Sequence, residues 1–463
     1  MNTLENTITT MGLLSKEAYN VGNFQIGAEI TANNQTYKVI DYVSTASDFQ
    51  ALLLQDKSGK FVMAFRGTEQ HSISDWLNDV SIGFKNINEQ YNDAKEFLEK
   101  AIKDYGVTID NLTLTGHSLG GILTQQVGAT YGIKGYAFNP YGTDRLLSLP
   151  ESPFDGIVKN SLYGLLTSLA EKVMSAVGLT KANAQWAYEH IYNISYQDEG
   201  AINGDILSNL LTELSSNHLG HFIPILGENV GFGEGHYMGT LNTAIAEYNE
   251  IVKKFDNSCR YEDITNMYLS TAIIHGKGYK KVRDEFKKLG ILNGNGANDK
   301  IANNSLHLEV IAKDTDTTSI FSGSNLSTPA LYALVNLNPF IVSGVNSNAY
   351  AELEKYKAEY SENYVSDKAK MFKALMDTPK VGSYYDDYET GKKISYYTSV
   401  TDPDSTDEYN LTDTAYTFGT NKNDIVTASV GKANRIYTLA GDDTIKLTGG
   451  SNYKFINLNL LVA

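Results

Sequence analysis

The chain has 463 residues, 42% of them hydrophobic, and its 54 acidic and 38 basic side chains leave a formal net charge of −16. That length exceeds one compact core and calls for two or three domains, and the acidic balance excludes a nucleic-acid binder and simple electrostatic adhesion to anionic lipid. A single cysteine, Cys259, excludes a disulfide framework and a cysteine-based zinc site, and no stretch approaches the roughly eighteen uninterrupted apolar residues of a membrane span.

Met1–Thr10 has neither a basic n-region nor an apolar h-region, so no Sec-type signal peptide is expected there. Phe61–Thr68 reads as a strand ending in a polar turn, and Asp75, Trp76 and Asp79 follow it. Tyr91, Ala94, Phe97, Leu98, Ala101, Ile102 and Tyr105 then recur at helical spacing. Val107–Thr115 reads as a strand, Leu112 and Leu114 alternating with threonines, and runs into Gly116-His117-Ser118-Leu119-Gly120-Gly121. Ile122, Gln126, Val127 and Ala129 begin the helix after it. Tyr136–Asn139 and Ile191–Tyr196 read as later strands, separated by a longer insertion. In that insertion Val158, Leu162, Leu165, Leu166, Leu169, Val173 and Val177 form an apolar stripe. The stripe suits a core-facing helix, or a lid that covers a site in water and opens at a membrane or micelle interface.

Residues 1–255 therefore predict an α/β domain, a mostly parallel sheet with helices on both faces. Residues 256–405 predict a mainly helical connector, with Ala349–Met376 helical and no catalytic constellation. Residues 406–463 differ again: Gly419–Val426 and Ala440–Ile445 are glycine- and aspartate-rich turns leading into apolar residues. Val426, Ile436 and Ile445 repeat at nearly constant spacing, as in a β-roll-like tail.

A serine between a strand and a helix, flanked two residues away by Gly116 and Gly120, has the pattern of the nucleophile elbow of an α/β-hydrolase. Such a site needs two oxyanion donors, the N–H of the residue after the nucleophile (Leu119) and one from the loop after an earlier strand. It also needs an acid and a base, in the order Ser, Asp, His. Among the later histidines, His236 sits in the glycine-bounded segment Gly233–Gly239 that opens a helical stretch, and His221 lies in a strand-like run as the runner-up. Asp198 and Asp205 both fall in the loop after the strand at Ile191–Tyr196.

F-R-G-T at residues 65–68, D-W-x-x-D at 75–79 and G-H-S-L-G-G at 116–121 together closely resemble the class 3 lipases, which include fungal triacylglycerol lipases and Gram-negative phospholipases A1. The resemblance covers roughly residues 10–250. It implies an α/β-hydrolase with Thr68 as the second oxyanion residue, and it leaves His117 to packing. His236-Tyr237-Met238 is similar to the family's H-x-M context, and Gly204–Leu207 resembles its D-x-V turn more than Gln197–Glu199 does. The implied triad is Ser118, His236 and Asp205. The implied activity is hydrolysis of a lipid ester without a catalytic cofactor, phospholipid first, then triacylglycerol or short esters. The connector resembles a segment that accompanies hydrolase domains in bacterial RTX proteins, and the tail resembles short, degenerate RTX nonapeptides. That likeness implies Asp424, Asp442 and Asp443 as Ca²⁺ ligands and export by a type I secretion apparatus. Two opposing readings are a non-catalytic RTX adhesion protein that retains the fold, and a thioesterase or peptidase.

Overall fold

The computed structural model describes residues 3–67, 87–140, 181–198, 219–228, 230, 234–292, 301–312, 315–322, 326–376, 384–394, 414–430 and 433–447. The chain divides into two compact units. One is Met1–Val252 with Arg260–Thr265, and the other is Lys253–Cys259 with Asn266–Ala463.

In the first unit eight strands form one sheet in sequential order. They are β1 (Glu29–Ala32), β2 (Gln35–Ser44), β3 (Gln50–Asp56), β4 (Phe61–Phe65), β5 (Leu112–His117), β6 (Gly135–Phe138), β7 (Ile191–Asp198) and β8 (His221–Gly227). β1 to β4 pair antiparallel and β4 to β8 pair parallel. Phe61–Phe65 is buried at every position, the unbroken apolar run expected of a strand covered on both faces. β5 begins later than the strand predicted from Val107. Thr108 caps a tight turn over Ile109–Asn111, its hydroxyl accepting the Asn111 N–H while the Asn111 side chain accepts the Thr108 N–H. That local capping competes with strand pairing until Leu112.

Alternation along β5 decides what each face meets. Leu112 and Leu114 enter a core built with Phe97 and Leu98 of α2 (Ile87–Tyr105) and with Ile122, Leu123 and Val127 of α3 (Leu119–Tyr131). Thr115 points the other way, and its hydroxyl donates to the Met11 carbonyl at 3.1 Å. Met11 belongs to α1 (Thr3–Glu17), which buries Ile8, Met11 and Leu14. α4 (Lys181–His190) packs against α3, and α5 (Met238–Val252) packs against α1 and β8. Helices thus cover both faces of a mostly parallel sheet, the α/β-hydrolase class expected. Among the described residues no helix is long and apolar enough to cross a membrane. The apolar stripe Val158–Val177 lies outside the described residues.

The second unit joins what the sequence separates at 405/406. Leu334, Leu337, Phe372 and Met376 of the connector share one hydrophobic cluster with Tyr416, Phe418 and Tyr437 of the tail. Helical pattern between Ala349 and Met376 is interrupted, with helices at Ala351–Lys355 and Glu362–Met376. In this unit β9 (Tyr384–Asp387), β10 (Thr414–Phe418) and β12 (Ala433–Tyr437) run parallel, as do β11 (Ile425–Thr427) and β13 (Thr444–Lys446). Val426 and Ile436 lie in a small cluster of their own, with Ile445 packed against it. Lys368 and Asp387 form an ion pair at 2.5 Å with both side chains fully buried.

Candidate active site

Ser118 stands between β5 and α3 with φ 55° and ψ −119°, a conformation a serine adopts only under constraint. The surrounding backbone supplies the constraint. The Ser118 N–H donates to the Phe138 carbonyl at 3.0 Å, and its own carbonyl accepts from Gly121 and Ile122 at 2.9 and 3.3 Å. The flanking glycines are steric necessities. A Cβ on Gly116 would lie 2.2 Å from the Gly120 oxygen, and one on Gly120 would lie 2.4 Å from the Phe65 oxygen at the end of β4. The first N–H groups of α3 have no partner within the helix ladder, so the Leu119 N–H is available beside the serine.

His236 closes a single helical turn, Glu234–His236, directly ahead of α5. Its Nε2 is 3.0 Å from Ser118 Oγ, and both side chains are buried. The serine hydroxyl can donate to that nitrogen only if Nε2 is unprotonated, which places the imidazole proton on Nδ1. Burial, and secondarily the neighbouring His117, holds the His236 pKa well below 6.5. At neutral pH the ring is therefore in the form that accepts a proton.

The residues that fix His236 are spread over three elements. His117 follows Thr115 on the α1-facing side of β5, and its Nε2 is 2.7 Å from the His236 carbonyl. A carbonyl only accepts, so Nε2 carries the proton and donates, leaving Nδ1 to accept from the Tyr19 hydroxyl at 2.6 Å. Burial pushes the His117 pKa down to about 4, in keeping with this neutral tautomer. Asn139, after β6, has φ 41°. Its Nδ2 donates to the carbonyls of Gly235 and His236 at 3.0 and 2.9 Å, while its Oδ1 accepts from the Tyr196 N–H at 2.7 Å. His117, Tyr19 and Asn139 thus orient the backbone that carries His236. Sequence reasoning left His117 to packing and did not single out the other two, because the partners lie about a hundred residues away.

The other residues named from sequence fall as follows. Thr68 and Asp205 lie outside the described residues. Gly67, just before Thr68, is packed so closely that a Cβ would lie 2.5 Å from both the His117 carbonyl oxygen and the Tyr19 hydroxyl, and 3.1 Å from Ser118 Cβ. Gly67 therefore leaves β4 beside the nucleophile. Asp198 ends β7, its backbone registered with Gly227. His221 lies in β8 and its Nε2 meets Glu262 Oε1 at 3.3 Å, so the histidine brought to Ser118 is His236. In the tail, Asp424 accepts the Thr420 N–H at 2.6 Å and Asp443 accepts the Asp424 N–H at 2.9 Å. The Asp442 N–H donates to Asn423 Oδ1 at 2.8 Å. Among the described residues no group of three or more His, Cys, Asp or Glu side chains is placed to hold a metal ion. Asp424, Asp442 and Asp443, expected as Ca²⁺ ligands, thus lie in hydrogen-bonded turns, two of their carboxylates accepting backbone N–H groups.

Residues 10–147 match the phospholipase-like family described as the Tle-like phospholipase domain. Over 155 residues the chain is 32% identical to the extracellular phospholipase A1 of Serratia liquefaciens, an alignment covering 30% of this chain and 46% of that protein. The chain thus spans less than half the length of this curated relative. Among solved structures it is similar to an S-formylglutathione hydrolase from Agrobacterium tumefaciens, at 9% identity and a TM-score of 0.27 over 49% of this chain and 98% of that one. It is also similar to a ferulic acid esterase, at 14% identity and a TM-score of 0.25 over 46% and 95% of the two chains. The matches bear out the likeness to phospholipases A1 expected from F-R-G-T and G-H-S-L-G-G: residues 10–147, within the α/β-hydrolase fold of the first unit, are similar to the Tle-like phospholipase domain.

Proposed function

We propose that this chain, with a first unit similar to phospholipases A1, hydrolyses acyl esters of phospholipids through Ser118 and His236. The observation that carries the reading is the 3.0 Å approach of His236 Nε2 to Ser118 Oγ on a strained strand-to-helix turn. In the proposed reaction Ser118 Oγ attacks the acyl carbonyl as His236 takes its proton. The oxyanion is held by the Leu119 N–H and by Thr68. His236 then gives its proton to the departing alcohol, and a water activated by the same imidazole hydrolyses the acyl-enzyme. Asp205, with Asp198 as the alternative, would accept from His236 Nδ1–H. Phospholipid is placed ahead of triacylglycerol because both the matched family and the Serratia protein carry phospholipase descriptions. That relative is also named extracellular, and export of this chain is proposed on that likeness and on its acidic, one-cysteine composition.

The test is Ser118→Ala, assayed on a fluorogenic phospholipid, an emulsified triacylglycerol and p-nitrophenyl butyrate. Activity should fall by about four orders of magnitude or more with thermal unfolding unchanged. A variant keeping more than about a tenth of wild-type activity would remove Ser118 from the mechanism. Wild-type enzyme that cleaves triacylglycerol but not phospholipid would overturn the substrate assignment.

A further inference from the structure

A cavity of about 260 Å³ is lined by residues that adjoin Ser118 and His236 in the chain. One wall is His117, which precedes the nucleophile, and another is Tyr237, Met238 and Gly239, which follow the base. The His117 ring lies 4.9 Å from that of His236, whose Nε2 meets Ser118 Oγ, so the cavity shares a wall with the catalytic pair. The third wall is the end of α1 and the residues just after it: Lys16, Tyr19 and Asn20.

The charge of this lining runs against that of the chain. The protein carries −16 overall, yet among the described residues the lining includes Lys16 and no Asp or Glu. Glu17, the adjacent acid, is not part of the lining, and its Oε2 accepts from Asn20 Nδ2 at 3.1 Å. Lys16 is exposed and forms no ion pair among the described residues. Tyr19, Tyr237 and Met238 add apolar surface to the same lining. A single point charge among aromatic and apolar groups suits a monoanion attached to a glycerol ester.

We propose that this cavity receives the phosphodiester of the phospholipid substrate, with Lys16 as its anchor. The inference rests on the phospholipase reading above. A charge-assisted contact of this kind corresponds to a preference of about tenfold.

The experiment compares soluble monomeric dihexanoylphosphatidylcholine with dihexanoylglycerol, so that binding to an aggregated interface does not enter. Wild type, Lys16→Gln and Lys16→Arg are measured on both, with inorganic phosphate as a competitor. Glutamine has nearly the helix propensity of lysine, and Lys16 is exposed, so the variant should fold. Lys16→Gln should lower the ratio of kcat/KM for phospholipid over diacylglycerol by about tenfold, and Lys16→Arg should restore most of it. An unchanged ratio in Lys16→Gln removes the subsite and leaves the phospholipase reading standing. Wild type that cleaves only the diacylglycerol overturns the phospholipase reading itself. Phosphate inhibition lost in Lys16→Gln without a change in the ratio would assign Lys16 to a free anion and overturn the proposal.

Discussion

Replacing His117 with phenylalanine isolates its two hydrogen bonds from its packing. The phenyl ring can occupy the same buried space between Tyr19 and His236, whose ring centroids lie 5.7 and 4.9 Å from that of His117. It can neither accept from the Tyr19 hydroxyl nor donate to the His236 carbonyl. A net loss of about 1 kcal/mol for each bond gives roughly 2 kcal/mol of stability. The larger penalty of an orphaned buried group is avoided at the His236 carbonyl, because Asn139 Nδ2 still donates to it at 2.9 Å. The catalytic effect should exceed what this modest stability loss suggests. Freed from one of two donors, the His236 backbone can shift, and displacement of a proton acceptor on the scale of an ångström lowers turnover by up to about a hundredfold. We expect kcat on p-nitrophenyl butyrate to fall at least tenfold with KM within threefold, alongside the 2 kcal/mol change in urea unfolding. Tyr19→Phe, which removes only the outer bond, should give a smaller loss in both. If His117→Phe loses the stability but keeps kcat within twofold, His117 serves packing alone and the positioning argument is wrong.

The acid limb of kcat/KM on a small ester should lie below pH 6.5, since His236 must be neutral to accept a proton and its pKa is held down; a limb above 6.5 would contradict this. Stability carries the same sign. The unfolded chain protonates its histidines near pH 6.5, whereas buried His117 resists until about 4, so stability is complete above 6.5 and falls as the pH drops toward 4. His117 accounts for about 3 kcal/mol of that fall at full development, measured as the difference in urea midpoints between wild type and His117→Phe. In the second unit, Asp387→Leu should cost about 3–5 kcal/mol by stranding the buried Lys368 charge, and adding Lys368→Met should recover much of it; a single variant within 1 kcal/mol of wild type would show that the pair is not under that constraint. For the tail, millimolar Ca²⁺ should raise the thermal midpoint by no more than about 2 °C, because the carboxylates of Asp424 and Asp443 already accept backbone N–H groups. A shift above about 5 °C would reveal a fuller site.

The sequence alone determined the local features of the site, because they are written in neighbouring residues. G-x-S-x-G marks the turn at Ser118 since only glycine tolerates the contacts made at 116 and 120. His236 was legible because a glycine-bounded turn ahead of an amphipathic helix is a short-range pattern, and strand and helix periodicity sufficed for the α/β layering. The network around His236 needed the tertiary structure. His117 and Asn139 meet its backbone, and Tyr19 meets His117, only because the C-terminal ends of β5 and β6 converge with the chain just after α1. No periodicity encodes hydrogen bonds between residues so far apart in the chain. The packing of connector against tail was hidden from the sequence for a related reason. Composition changes near residue 405, but Phe372 and Met376 bury their side chains against Phe418 and Tyr437, and burial follows three-dimensional contact where composition follows the chain.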